Sequence, residues 1–374
     1  MIDSMRIALS KLEGLVTRAY RIRKLKNHFG LDLDNAKFVS NAYREILHRE
    51  ADDAGMDGSL AALNSGVNRE EFLVGLLNSE EFQQRLKSSS TTQALPNLVA
   101  QRPEKYSRVG DFLVFSATAD EDYEWLEEQI LVHGYYERRG SWGYELDFDK
   151  RLMAQLVALL SDTKVFELGC GVGLVMQCLD DLGVEVSGLD VSEYSKQLAS
   201  PRISQHIKIG DFLDPACTID GADIVVGLDV FEHITPKKLD KYLEKCASEL
   251  PEGGLLFLNV PAFGADDIFG MVHSYWISNW RTDNGTHELF KELPCDESGF
   301  PLMGHLVWAD SVWWESRLKI AGFTRIRECE KLLHKKFDHH MSYSEARKSY
   351  FLLAKGDPDI KIRQVSKRIN EFIF

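Results

Sequence analysis

The chain has 374 residues, a mass of 42.5 kDa, 44% hydrophobic and 27% charged residues, and a formal net charge of -14. That length exceeds one typical core and predicts roughly two to three domains; the acidic balance offers no broad basic face for a nucleic acid, and no apolar stretch is long enough to span a bilayer. The six cysteines (Cys170, Cys178, Cys217, Cys246, Cys295 and Cys329) form no CxxC pair and suggest neither a zinc site nor a disulfide framework, so reduced thiols and a cytoplasmic setting are expected.

The opening "MIDSMRIALSKLEGLV" lacks an uninterrupted apolar segment and a small-residue cleavage site, so a signal peptide is not expected. Residues 1–30 read as an amphipathic helix that clusters Arg18, Arg21, Arg23, Lys24 and Lys26. Such a helix either touches a membrane surface or a partner, which would make the protein peripheral to the inner membrane, or is a solvated face; the solvated face is favoured.

Residues 31–88 carry short helical patterns, with Phe38, Ala42, Ile46 and Leu47 on one face and Asn68 and Ser79 as N-caps. This stretch resembles a small helical bacterial domain of unknown function, through Leu47, Arg49, Glu50, Ala51, Asp52, Gly55, the Asn64–Gly66 turn, Ser79, Glu81 and Phe82. Asp57 and Gly58 stand where relatives often carry aromatic residues, which puts an inherited ligand site in doubt. Asp52, Asp53 and Asp57 do not follow EF-hand spacing. Residues 89–105 are polar and proline-containing, and read as a linker.

From 106 to 374 the texture is that of an α/β domain. Helices are predicted near 149–160, 172–182, 192–199, 236–250 and 310–321, and strands at 164–168, 184–190, 205–209, 223–228 and 254–260. Short apolar strands alternating with helices predict a parallel sheet with right-handed crossovers. "FTRIRECE" and "RKSYFLLAK" predict a final antiparallel hairpin at its edge. The intervening "HKKFDHH", with His334, His339 and His340, has no standard zinc spacing and reads as a solvated loop.

"VFELGCGVG" ends the first of these strands and places Glu167, Gly169, Gly171 and Gly173 at alternate positions. Glycines at a strand's carboxyl end let a ligand approach the backbone. Leu174 stands where GxGxxG would have its third glycine, which disfavours a dinucleotide site. Later landmarks follow in order: Asp190 after the second strand, Asp211 and Phe212 in "GDF" after the third, and Asp229 in "GLDVFEHI" after the fourth.

With these motifs, residues 130–355 resemble the class I S-adenosylmethionine-dependent methyltransferases. The resemblance implies a Rossmann-like seven-stranded sheet with a terminal antiparallel hairpin, joined here to an all-α N-terminal domain, and S-adenosyl-L-methionine as cofactor. It implies that Glu167, Gly169, Gly171, Gly173 and Asp229 line the cofactor site. Asp190 would hold two ribose hydroxyls, Asp211 the adenine amino group, and Phe212 the adenine ring. "NVPAF" is not the N-P-P-Y motif of amino-methylating enzymes, since Asn259 follows the fifth strand and Val260 replaces the first proline.

Residues 261–309 are too long for a routine connection and predict a lid. Tyr275, Trp276, Trp280, His273 and His287 within it are candidate acceptor contacts, since aromatic faces suit sugar rings. A hydroxyl acceptor needs help to lose its proton; His233 is the first candidate base, His305 the second, with Asp229 and Glu232 to orient a base, hold a hydroxyl or bind a metal. No metal is expected among the ligands. "GYYERRGSWGYELDFDKRL", "NVPAFG" and "GHLVWADSVWW" resemble bacterial methyltransferase domains found beside glycosyltransferases, which implies a saccharide acceptor and a glycosyltransferase partner. A small aromatic or carboxylic metabolite, or a scaffold without catalysis, are the alternatives.

Overall fold

A computed structural model describes residues 34–47, 49–77, 79–81, 95–110, 112–137, 148–272, 289–341 and 345–372. The expected basic helix over 1–30 lies outside them. The chain divides into two compact units, Met1–Ser90 and Thr91–Phe374.

The first unit holds helices α1 (Asn35–Ile46), α2 (Asp53–Asn64) and α3 (Arg69–Leu77). Asp34 caps α1 by accepting the Lys37 N–H, and Asp52 caps α2 by accepting the Gly55 N–H, so Asp52 is spent on the helix start rather than on a cation. Phe38, Val39, Ala42, Leu47, Leu63, Phe72, Leu73 and Leu76 meet in one small core. Arg49 clamps both Glu81 oxygens at 2.6 and 2.7 Å, which ties two of the resemblance residues together.

The second unit is built on a seven-stranded sheet of order β12-β13-β7-β6-β3-β4-β5. Its strands are β3 (Lys164–Leu168), β4 (Glu185–Asp190), β5 (Ile207–Ile209), β6 (Ile224–Leu228), β7 (Leu255–Asn259), β12 (Phe323–Arg325) and β13 (Tyr350–Lys355). β13 runs antiparallel to both β7 and β12, and the other neighbours pair parallel. The last two strands therefore pair as expected, with β13 lying between β12 and β7.

Alternation along each strand feeds two cores. Val165, Ile224, Val226, Leu255, Phe257 and Leu352 face helices α5 (Phe148–Leu160), α6 (Leu174–Asp181), α10 (Arg327–Phe337) and α11 (Asp359–Glu371). Phe166, Val225, Leu256, Leu258, Phe351 and Leu353 face α8 (Pro236–Glu249) and α9 (Ser311–Ile320). Helix α7 (Glu193–Leu198) follows β4. The stretch read as a solvated loop is instead α10 and its exit: His334 is 6% exposed and stacks on Tyr350 at 4.1 Å, because the helix turns its apolar face and this ring onto β13.

A third core sits beside the sheet. β1 (Tyr106–Val109), β2 (Phe112–Ser116) and β10 (Glu292–Cys295) form an antiparallel sheet covered by α4 (Asp120–Val132), and enclose Phe115, Leu126, Ile130, Leu293, Phe300, Leu306 and Trp308. Leu98 is fully buried there and its N–H bonds the Ser298 carbonyl at 2.8 Å, so the last part of the expected linker belongs to this unit. The described ends of the 261–309 insertion are likewise built into the body. β8 (Ala262–Asp266) pairs with β9 (Gly270–Val272) and β11 (Ala309–Asp310), and Phe263 stacks on Trp308 at 5.3 Å. The insertion is therefore a wall more than a free cover over those stretches. No described helix is long and apolar enough to cross a membrane.

Candidate functional site

A cavity of about 330 Å³ opens where β3, β4 and β6 end. It is lined by Glu167, the glycine turn, Asp190, Asp211, Asp229 and His233, among others. Gly169, Gly171 and Gly173 all have positive φ, at 66°, 52° and 72°. A Cβ on Gly169 would lie 2.4 Å from Val230 Cγ2, whereas a Cβ on Gly171 would meet no protein atom within 4 Å. Gly169 is thus bare because the protein packs there, whereas Gly171 borders the open cavity.

Glu167 is 4% exposed, and its Oε2 has no hydrogen-bond partner. Burial pushes its carboxyl up to about 8, against the pull of the Met176 N–H. Asp190 accepts from the Gly171 N–H at 2.8 Å, the Ser192 N–H at 2.9 Å and the Ser195 hydroxyl at 2.9 Å; burial nevertheless holds its carboxyl above the usual range. The Asp211 carboxylate accepts from the Leu213 N–H and the Tyr242 hydroxyl, and lies 3.1 Å from the Lys238 ammonium. Burial opposes its charge, but these partners outweigh burial and hold it below the usual range. Phe212 also lines the cavity, with its side chain fully buried against Phe166 and Tyr242.

At the end of β6, Asp229 adopts φ 54°, a conformation a non-glycine residue reaches only when neighbours fix it. Its carboxylate is paired with Arg347, which also reaches Asn259 Oδ1 at 3.3 Å. The turn Phe231–His233 then buries Glu232 completely and puts His233 on the cavity wall. His233 Nδ1 lies 3.1 Å from the Gly304 carbonyl, and its ring meets His305 at 4.9 Å and Tyr136 at 5.4 Å, both edge-on.

The two histidine candidates, 72 positions apart, are thereby brought together. The Leu306 and Val307 N–H groups both donate to the Glu232 carbonyl at 2.8 Å, which staples the end of the insertion to this turn. Burial strips His233 of its proton down to about 4 and carries His305 well below its usual value, with His233 adding to the effect. Burial first, then Asp229, drives the Glu232 carboxyl well above its usual value.

The expected acceptor contacts Tyr275, Trp276, Trp280, His273 and His287 lie outside the described residues. Arg347, Tyr136, Lys238 and Glu127 also line the cavity and were not anticipated. Tyr136 lies in the quoted "GYYERRG" stretch, where a signal existed; Arg347 lies 118 positions from Asp229, and no spacing rule joins them.

Residues 144–326 match the family model described as a methyltransferase domain, and residues 23–86 match a domain of unknown function (DUF4214). A ubiquinone biosynthesis O-methyltransferase of Parvibaculum lavamentivorans is 26% identical over 53% of this chain and 82% of that protein. One of Bradyrhizobium is 29% identical over 38% of this chain and 58% of its own. In several further relatives of the same description the chain spans between 54% and 62% of their length. Among solved structures, the CcbJ methyltransferase of Streptomyces caelestis aligns with 19% identity and TM-score 0.38, over 56% of this chain and 89% of that one.

Proposed function

From the premise that the chain carries a class I S-adenosylmethionine-dependent methyltransferase domain, we propose that it moves a methyl group onto a hydroxyl oxygen, and that a saccharide carries this hydroxyl. The carrying observation is the cavity wall that follows β6. There His233, fixed against the Gly304 carbonyl, stands beside Asp229 with its ring close to His305 and Tyr136. A neutral imidazole accepts a hydroxyl proton and holds no charge that would repel a sulfonium.

The residues fit the cofactor. Gly171 leaves open space at the strand tip, and Asp190 has carboxylate lone pairs beyond its three present donors for ribose hydroxyls. Asp211 would meet the adenine end, and Glu167 lines the cavity beside the glycine turn. The cofactor supplies an electrophilic methyl. The chain's own residues hold it at the strand ends and set the acceptor oxygen on the wall at His233.

The saccharide rests on the likeness of several motifs to glycan-associated domains. A small aromatic or carboxylic metabolite is the second reading, favoured by the description of the relatives as O-methyltransferases of ubiquinone biosynthesis. The test is calorimetric titration with S-adenosylmethionine and S-adenosylhomocysteine, followed by transfer of labelled methyl to saccharide and phenolic acceptors. Label on sugar supports the proposal, and label on phenols only replaces the sugar. Binding that Asp190→Ala leaves unchanged would overturn the site assignment.

A further inference from the structure

We propose that Glu232, His233 and His305 bind a divalent transition-metal ion at the wall of the cofactor cavity. Each offers a ligand atom, and these atoms lie within 4.8 Å of one another. Glu232 is 0% exposed, and neither of its carboxylate oxygens has a hydrogen-bond partner. Its closest approach in the trio is His305 Nε2 at 3.8 Å, beyond a hydrogen bond. His305 is itself 6% exposed, and its Nδ1 has no partner. An unsatisfied buried polar group is costly, and more so when charged. Two orphaned carboxylate oxygens, fully buried beside the His305 imidazole, are difficult to explain by packing, since any apolar residue would fill that volume at lower cost. A cation removes the difficulty by bonding the carboxylate and an imidazole together.

The surroundings are organised as an outer shell would be. A metal-bound histidine commonly gives its other ring hydrogen to a carbonyl or carboxylate, which fixes its tautomer. His233 Nδ1 lies 3.1 Å from the Gly304 carbonyl, an arrangement that leaves the Nε2 lone pair for a metal. Glu232 and His305 are held in register by the two N–H bonds from Leu306 and Val307 to the Glu232 carbonyl. His305 is also fixed through its own carbonyl, which accepts the Trp308 indole N–H at 3.1 Å.

The donor set selects the ion. Two imidazoles and one carboxylate suit zinc, cobalt or iron in the divalent state, rather than the all-oxygen preference of calcium or magnesium. Bonds of about 2.0–2.2 Å place ligand atoms nearer one another than the widest present spacing, so a modest turn of the side chains closes the site. Three protein ligands leave a coordination position for a further oxygen. His233 borders the cavity, so that oxygen can be the acceptor hydroxyl; this role, though not the binding of the ion, rests on the hydroxyl-transfer reading. With the His233 Nε2 lone pair on the ion, the ion takes over from the imidazole as the group that helps the hydroxyl lose its proton: a bound hydroxyl would be acidified and would release its proton to solvent at the cavity mouth. Its oxygen lone pair then forms the new C–O bond while the methyl–sulfur bond breaks, its electrons remaining on sulfur.

The experiment uses the full untagged chain. The protein is stripped with a chelator and titrated with Co²⁺, then with Zn²⁺, and visible absorption and unfolding temperature are recorded. The expected result is saturable uptake of one Co²⁺ with ligand-field bands, a rise in unfolding temperature, and displacement by Zn²⁺. Glu232→Gln and His305→Gln should abolish the bands while still binding S-adenosylhomocysteine. X-ray absorption of the zinc-loaded wild type should show imidazole ligands, a readout that does not depend on a variant folding.

Wild type that binds S-adenosylhomocysteine yet takes up no Co²⁺ or Zn²⁺ and does not change its unfolding temperature overturns the proposal. So does uptake that survives both substitutions, or a zinc shell without imidazole. Metal uptake without methylation of any hydroxyl would instead sink the hydroxyl-transfer reading and leave the ion site standing.

Discussion

Single positions separate what the fold needs from what the ligand needs. Gly169 and Gly171 share a left-handed conformation, but only Gly169 is crowded by Val230. Each alanine substitution costs about 1–2 kcal/mol from the conformation alone. Gly169→Ala should add a steric loss and lower stability further, as read by urea unfolding. Gly171→Ala should leave stability nearer wild type yet weaken S-adenosylhomocysteine binding by about tenfold or more, through overpacking of the ligand.

Glu167 gives a pH signature. Its folded carboxyl keeps a proton to about 8, whereas the unfolded chain releases it near 4.5. The folded state therefore binds more protons in that window, and the contribution of Glu167 to stability, full below the lower value, is lost as pH rises through the upper one. Glu167→Gln removes the titration. Unfolding free energies of variant and wild type should diverge across the window, with the variant gaining relative stability toward alkaline pH; parallel curves would refute this.

At the scale of elements, one guanidinium joins four segments. Arg325, at the end of β12, bonds Asp266 of β8 at 2.9 Å, Glu315 of α9 at 3.1 Å and Glu330 of α10 at 2.8 Å. It also lies over the Phe351 ring of β13 at 4.6 Å. Asp266 and Glu330 are almost wholly shielded, so Arg325→Met strands two buried carboxyls and should cost about 3–5 kcal/mol. Adding Glu330→Gln should recover part of that loss in chemical unfolding.

The parallel strands were legible because each is a short apolar run feeding a core on both faces, which leaves a strong local signal. The glycine turn, Asp190, Asp211 and Asp229 were legible as ordered strand-end motifs. β1 and β2 were not: β1 is mostly exposed and reads "YSRV", and its pairing with β2 brings in β10 from far along the chain. α10 was missed because its hydrophobic face is interrupted by charged residues, so its membership in the core comes from β13. The His233–His305 meeting depends on loop closure over 72 positions and left no trace in spacing.

For the whole molecule, the division between units falls earlier than composition implies. A chain beginning at Thr91 keeps Leu98 and its bond to Ser298, while one beginning at Tyr106 loses both. The first should bind S-adenosylhomocysteine as the full chain does. The second should be less stable by about 2–5 kcal/mol, the range for emptying a buried leucine site; equal unfolding midpoints would show that 95–105 contributes nothing.

β13 has a further consequence for how the protein is made. It is the second strand from one edge, yet only the last helix follows it among the described elements. During synthesis, β7 waits for its neighbour until residues 350–355 leave the ribosome, and β12 has nothing to pair with before then. Arg347, which closes the wall at Asp229, arrives just ahead of that strand. A nascent chain therefore carries the glycine turn long before it has a finished cavity. Methyl transfer would be withheld until residues 350–355 have left the ribosome, and a product terminated before them would be left with an open sheet edge suited to recognition by chaperones and proteases.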